Sequence, residues 1–394
     1  MFLAATVHPS VIYPLTLRFL MRRRPAPALA PPDAPRPSLA ICVCAYNEAD
    51  VIVDKVETLL AMAAEYGPAT VHVYADAPAD DTVALLTPYR ERIDLVVGGE
   101  RRGKTFGMNT LVARTQADLL MFTDANVQSD IDAAAELVRP FVDPTIGMVT
   151  AQLIYSNPGE TPTSTLGALY WSKEESIKRL ESVTVGLVGC DGAMFVLRRS
   201  IHQPPPPHLI DDLYLSLRVM ITGYRVVSLD HVRVFERSAT GNVEEKRRKQ
   251  RIACQAINVH RALWGQLRRM RPALLYAYLS HRVLKWMIPF SLAGASACLL
   301  AAAALVLPAV VVVPGVLALA ALLYVADRLH IPPLSFAASA VLSLWGVAAG
   351  VMESFLLNKT YAVWEPAQSV RSPSGSDGGG DGADATAEIS RAGR

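Results

Sequence analysis

The sequence predicts an α/β fold: a mostly parallel sheet covered by helices on both faces, followed by transmembrane helices. Three observations carry this. Over Ser38–Arg271 short apolar runs alternate with stretches of helical periodicity, the pattern of parallel strands joined by covering helices. From Trp286 to Ala326 there are 41 residues without a charge, and a further uncharged run covers Ile331 to Met352. Hydrophobic residues make up 51% of the 394-residue chain, which is high for a purely soluble protein.

Taken in order, LAICVCAY reads as a strand, VIVDKVETLLAMAAEY as a helix, TVHVYAD as a strand and DTVALLTPYRER as a helix. IDLVVGG is then a strand, KTFGMNTLVART a helix, DLLMFTD a strand and IDAAAELVRPFV a helix. Ser129, three residues before Asp132, has the spacing of a capping box for that last helix, with Asp in place of the usual Glu. GCDGAMFVLRR reads as a turn entering a strand, and Asp211 and Asp212 precede LYLSLRV, an amphipathic helix.

A transmembrane helix needs about 20 apolar residues, so the block from Trp286 to Ala326 fits two spans, broken near Pro314–Gly315, and Ile331–Met352 fits a third. At the other end, Met1 to Leu17 is uncharged and is followed by Arg22, Arg23 and Arg24. Charge after the apolar run is the reverse of a secretory signal, and it places the segment beyond Arg24 on the cytoplasmic side. Cys42 and Cys44 alternate within one strand, where a disulfide would be badly strained, and no cysteine spacing resembles a zinc site. With a net charge of only +2, nothing in the overall charge points to a nucleic-acid partner.

Ligands of doubly wound sheets bind beyond the carboxyl ends of the strands. Tyr46, Asn47 and Glu48 follow the first strand, Asp76 ends the second, and Asp124 and Asn126 end the fourth, so all three groups should gather along one edge. Acids at successive strand ends suit a metal and a sugar better than bare phosphate. Asp124 and Asn126, two apart, either hold a cation or turn the chain.

AYNE at Ala45, YADAPADDT around Asp76, GKTFGMN from Gly103, TDAN at Thr123, GCDGAMFVLRR from Gly189 and IDD at Ile210 together resemble the family 2 glycosyltransferases. The likeness is to the membrane-embedded branch that includes cellulose, hyaluronan and poly-N-acetylglucosamine synthases. Each string alone is weak; six in register are specific. The resemblance implies a Rossmann-like, nucleotide-sugar-binding domain that transfers a sugar from a nucleotide donor, a UDP-sugar by expectation.

Residue by residue, Asp124 matches the first acid of the family's metal-binding D-x-D pair and Asn126 the second position. An amide oxygen can ligate a hard cation without adding charge, so a divalent cation, Mg or Mn, is expected to bind more weakly. The resemblance further implies that Ala45, Tyr46, Asn47, Glu48, Asp76, Lys104, Asn109, Asp124 and Asp191 serve the nucleotide-sugar, with Asp76 at the base or ribose. Asp80, Asp81 and Thr82 read instead as a helix start. Asp211 and Asp212 match the family's TED motif, whose last acid is the general base. An inverting transfer needs such a carboxylate to take the acceptor's hydroxyl proton, so Asp212 is the expected base and Asp211 its support.

The chain departs from the processive synthases in lacking Q-x-x-R-W. It offers EEKRRKQRIACQA over Glu244–Ala256 instead, whose Arg248 or Arg251 either meets the diphosphate or binds anionic lipid. Processivity therefore does not follow. The resulting organisation is an N-terminal membrane segment over 1–24, a proline-rich linker over 25–37 and a cytoplasmic glycosyltransferase domain over 38–259. Interfacial amphipathic helices follow over 260–285, three transmembrane helices over 286–358, and a C-terminal segment with a disordered tail over 359–394. The expected setting is the inner membrane, multi-pass, with a glycan or lipid-linked acceptor, the lipid bilayer, and export partners or an oligomer as company. A catalytically silent nucleotide-sugar- or glycan-binding scaffold of an export complex is the alternative. A nucleotidyltransferase would carry a basic, glycine-rich loop where this chain has AYNE.

Overall fold

The structure, a computed structural model, describes residues 1–157, 160–329, 331 and 334–363. Most of the C-terminal segment expected over 359–394, from residue 364 on, lies outside these residues.

Among the described residues eight strands form one sheet: β1 (Leu39–Ala45), β2 (Ala69–Ala75), β3 (Asp94–Val97), β4 (Leu119–Asp124), β5 (Gln128–Ser129), β6 (Ile146–Tyr155), β7 (Met194–Arg198) and β8 (Arg225–Glu236). Their order is β3-β2-β1-β4-β7-β6-β8-β5. The β3-β2-β1-β4 half is parallel throughout. β7 runs antiparallel between β4 and β6, while β6 and β8 pair in parallel. The sheet is thus mostly parallel, as expected from sequence.

The helices are α1 (Phe2–Val7), α2 (Tyr13–Phe19), α3 (Ile52–Tyr66), α4 (Thr82–Leu86), α5 (Lys104–Ala113), α6 (Ala133–Val138) and α7 (Pro162–Ser182). They continue as α8 (Asp211–Ile221), α9 (Asn242–Leu267), α10 (Pro272–Tyr278), α11 (Leu284–Trp286), α12 (Ile288–Val306), α13 (Ala309–Arg328) and α14 (Leu334–Leu357). β1 shows why both faces are covered. Leu39, Ile41 and Val43 pack into a core with Val56 and Leu59 of α3, while Ala40 and Cys42 enter a second core with Met108 and Leu111 of α5. Period-2 alternation sends successive side chains to opposite faces, so a strand apolar at every position must be sandwiched.

Three sequence expectations are corrected. The helix read in DTVALLTPYRER stops at Leu86 and tightens into a 3-10 turn, Thr87–Tyr89, and IDAAAELVRPFV ends at Val138 in another, Arg139–Val142. Pro88 and Pro140 explain both, since proline has no amide to continue the α ladder. Ser129 caps nothing: it lies in β5, paired with Val234, and Asp132 is the N-cap residue without a side-chain bond.

Among the described residues two helices are long and apolar enough to cross a membrane, α12 and α14, where the sequence suggested three. Between them α13 carries a shorter apolar stretch, Val310–Leu322, with Pro314 inside the helix. In α12 only Ser291 is buried, whereas α14 is partly covered by α9. A Cβ at Gly346 would lie 2.6 Å from the Lys246 carbonyl oxygen, and one at Gly350 2.1 Å from that of Gln250. Small residues four apart permit this approach. Gln250 Nε2 donates to Glu353 (2.8 Å), and Ser354 Oγ to Asn258 Oδ1 (2.6 Å). α9 also runs unbroken across 259–260, joining what the sequence divided into catalytic and interfacial segments. At the N-terminus a π-helical turn, His8–Ile12, joins α1 to α2, whose Tyr13 and Leu17 are fully buried.

Candidate active site

Sheet register sets the level of the site. Ala45 pairs with Ala75, and Cys44 with Asp124, so the residues after β1, β2 and β4 emerge along one edge. Asp76 follows β2 and is only 4% exposed. Its two carboxylate oxygens accept from the amides of Arg102 and Gly103, each at 2.8 Å. Gly103 adopts φ +88° as N-cap of α5, a conformation that favours glycine. Asp76 therefore fixes the loop from which Lys104 departs.

Lys104 Nζ lies 2.6 Å from Asp124 Oδ1 and 3.3 Å from Asp211 Oδ2. Burial works against its charge, but the Asp124 and Asp211 carboxylates outweigh it and hold the ammonium well above the usual lysine range. Asp211 and Asp212 open α8, where the helix dipole favours negative charge. The Asp212 carboxyl is nevertheless pushed up to about 7, by burial first and by Asp211 second, with Lys104 pulling the other way. Gly192 completes the group: a Cβ there would sit 3.2 Å from Lys104 Nζ and 3.3 Å from Asp212 Oδ2.

Around this core stand further residues singled out from sequence. Asp191 receives Lys178 Nζ at 2.7 Å. Asn126 donates its amide nitrogen to Glu236 Oε1 at 3.1 Å. Burial and Arg248 draw the Arg251 guanidinium down to about 10, against the opposing pull of Asp212, Asp124 and Asp211. Arg251 thus shares the electrostatic field of all three acids. Arg248 donates to Tyr155 Oη at 3.3 Å and pairs with Glu245.

The first-strand motif divides. The Tyr46 ring lies 3.4 Å beneath the Arg101 guanidinium. Asn47, at φ +51°, accepts from the Ala79 amide at 2.8 Å. Ala45 accepts from the Asp76 amide, and the amide of buried Glu48 donates to Thr82. Asp80 accepts from Ala49 and Thr82, consistent with its reading as a helix start. Asn109 is not brought into the group; its amide nitrogen holds the Pro205 carbonyl at 2.8 Å, steadying the proline loop.

Sequence reasoning missed Glu236, Lys178 and Lys55. Burial raises the Glu236 carboxyl above its ordinary value, with Arg248 opposing. Lys55 donates to Thr123 Oγ1 (2.9 Å) and to the Val127 carbonyl (2.6 Å), beneath the Asp124–Asn126 turn, and burial pushes it down to about 7. A lysine on the apolar stripe of VIVDKVETLL was a readable signal; Glu236 gave none.

Among the described residues no group of three or more His, Cys, Asp or Glu side chains is arranged to hold a metal. Asp124, Asn126 and Glu236 nonetheless offer only hard oxygen donors to a cation. That set fits a cation held by one or two carboxylates and completed by substrate phosphates.

Residues 40–204 match the family described as Glycosyl transferase family 2. Over those residues the chain is similar to the family 2 glycosyltransferases. It is 25% identical over 242 residues to a beta-monoglucosyldiacylglycerol synthase of Synechocystis sp., covering 57% of this chain and 50% of that protein. To an N-acetylglucosaminyltransferase of Rhizobium sp. (strain N33) it is 22% identical over 206 residues, covering 48% and 46%. The chain spans about half the length of the curated relatives it matches. The solved mannosyltransferase PcManGT from Pyrobaculum calidifontis, in complex with GDP-Man and Mn2+, superposes with a TM-score of 0.65 at 21% identity, covering 90% of this chain and 97% of that one. The fold shared with that protein therefore extends beyond the sheet domain into the helices that follow.

Proposed function

We propose that this chain is a membrane-bound inverting glycosyltransferase, moving a sugar from a nucleotide-sugar, a UDP-sugar by preference, to a glycan or lipid-linked acceptor. The observation that carries the reading is the placement of Lys104 between Asp124 and Asp211, with Asp212 alongside, at the carboxyl edge of a family 2 domain. Asp212 takes the proton of the acceptor hydroxyl as that oxygen attacks the anomeric carbon. The bond from that carbon to the diphosphate breaks, and the nucleoside diphosphate leaves with the electron pair. Lys104 and Arg251 face the negative charge that develops. A divalent cation held by Asp124 and Asn126 would supply further neutralisation of the diphosphate. The relatives' names and the Mn2+ of PcManGT support this reading.

Membrane attachment is part of the proposal. The exposed apolar faces of α12 and the length of α14 suit a bilayer, with the sheet domain on the cytoplasmic side, where nucleotide-sugars are made. The test offers protein in lipid a panel of labelled nucleotide-sugars, with Mn2+ or chelator, beside Asp212→Asn. Transfer by wild type and a loss of about 10²-fold or more in the variant is expected. Equal transfer by both removes Asp212 as base, and transfer from no donor removes the function.

A further inference from the structure

The turn before α11 reaches the loop at Val188–Gly189 directly. Residues Leu279–Val283 form a π-helical turn, a local departure from α geometry that is common at functional positions. From it Arg282 Nε donates to the Val188 carbonyl and Nη2 to the Gly189 carbonyl, each at 2.6 Å. Gly189 stands at φ +84°, and a Cβ there would lie 2.7 Å from Arg282 Nη2 and 2.9 Å from Leu213 Cδ1. The guanidinium is seated against bare backbone.

The same loop is held from its other side. Glu181 Oε2 accepts from the Val188 amide at 3.1 Å, while Glu181 Oε1 accepts from Tyr13 Oη at 2.6 Å. His281, fully buried beside Arg282, faces Glu181 at 2.7 Å and Glu174 at 2.6 Å through its two ring nitrogens. Lys285 also pairs with Glu174. Both the amide and the carbonyl of Val188 are thus clamped by groups tied to α2 and to the foot of α12. Downstream the loop meets the acids: Cys190 Sγ lies 3.6 Å from the Asp212 carbonyl, and Gly192 abuts Lys104 and Asp212.

We propose that Arg282 is a positioning residue for the transfer reaction, fixing the Gly189–Gly192 loop against Asp212 and Lys104. It touches no reacting atom; it acts through two carbonyls. The inference rests on the assignment of Asp212 as base. A shift of about 1 Å in such support can cost roughly 10²-fold in rate, so the effect belongs in kcat rather than in donor binding.

The test compares full-length wild type, Arg282→Met and Arg282→Lys in lipid. Hydrogen exchange of the peptide over 187–193 is read first, because it needs no activity. Arg282→Met is expected to speed exchange there by about tenfold while the β1–β4 half stays protected. It should lower kcat by about 10²-fold with donor KM within roughly threefold of wild type. Arg282→Lys, which keeps one donor within reach of the carbonyls, should recover most of both losses. Gly189→Ala probes the same contact from the loop side and should reproduce the kcat loss if Arg282→Met fails to fold. Unchanged exchange at 187–193, an unchanged kcat, or a uniform loss of protection with no rescue by lysine would each overturn the proposal. If wild type transfers from no donor, the function fails, while the exchange result still decides whether Arg282 holds the loop.

Discussion

Asn126 turns its amide nitrogen onto the Glu236 carboxylate, 3.1 Å away. A carboxylate offers only acceptors, so this contact fixes which end of the amide faces Glu236 and leaves the Asn126 oxygen for other company. The turn after β4 carries one acid, Asp124, and Glu236 at the end of β8 brings a second carboxylate to it in space.

That relationship predicts the outcome of restoring the acid. Asn126→Asp would set two carboxylates against each other, which raises the pKa of one of them. The single variant should bind Mn2+ no more tightly than wild type in the presence of UDP. Asn126→Asp with Glu236→Gln should bind roughly tenfold more tightly than the single variant, because the charge is moved to position 126 without a second carboxylate opposing it. Titration followed by the Mn2+ resonance signal reads both. Tighter binding by the single variant would show that Glu236 is not engaged with position 126.

Asp212 predicts a pH dependence with a definite sign. Its folded-state value is raised to about 7 by burial and Asp211, and a base must be ionised to work. Turnover should therefore rise with pH through about 7. Asp212→Asn should lose about 10²–10⁴-fold in kcat. Stability runs the other way: a raised carboxyl is fully tolerated below its unfolded value and costs stability as pH climbs from there to about 7. Thermal melts at pH 8 should find Asp212→Asn more stable than wild type.

Lys104 lowers the Asp212 value and neutralises Asp124 and Asp211. Lys104→Met should lower kcat and move the acid limb of the pH–rate profile above that of wild type. A profile that keeps its midpoint would separate Lys104 from Asp212.

Gly350 predicts a packing defect. With its Cβ position 2.1 Å from the Gln250 carbonyl oxygen, Gly350→Val must push α14 off α9, an overpacking cost of about 1–3 kcal/mol. The melting temperature should fall, and kcat with it, since Arg251 follows Gln250 on the displaced helix. Gly315→Val, where a Cβ meets nothing within 4 Å, is the control.

The parallel half of the sheet was legible because β1 and β4 are apolar at nearly every position, and a strand of that kind has few alternatives to burial between helices. The ends of α4 and α6 were misread although Pro88 and Pro140 were in plain view; periodicity on either side masked the missing amides. Asp124, Asp211, Asp212 and Lys104 were found because local strings carry them. Glu236 and Arg282 escaped because their meaning lies in partners 110 and about 93 residues away, which no local pattern shows. The division placed at 259–260 falls inside α9: composition changes there while the helical backbone continues.

The seam between α9 and α14 has a practical meaning. α9 presents Arg248 and Arg251 toward the sheet while giving its other face to Gly346, Gly350 and Ser354. A fragment cut ahead of α12 to gain solubility would strip that face bare and unseat the guanidinium groups. Such a fragment should be expected to aggregate or to fall silent, and that outcome would say nothing against the chemistry of the intact chain.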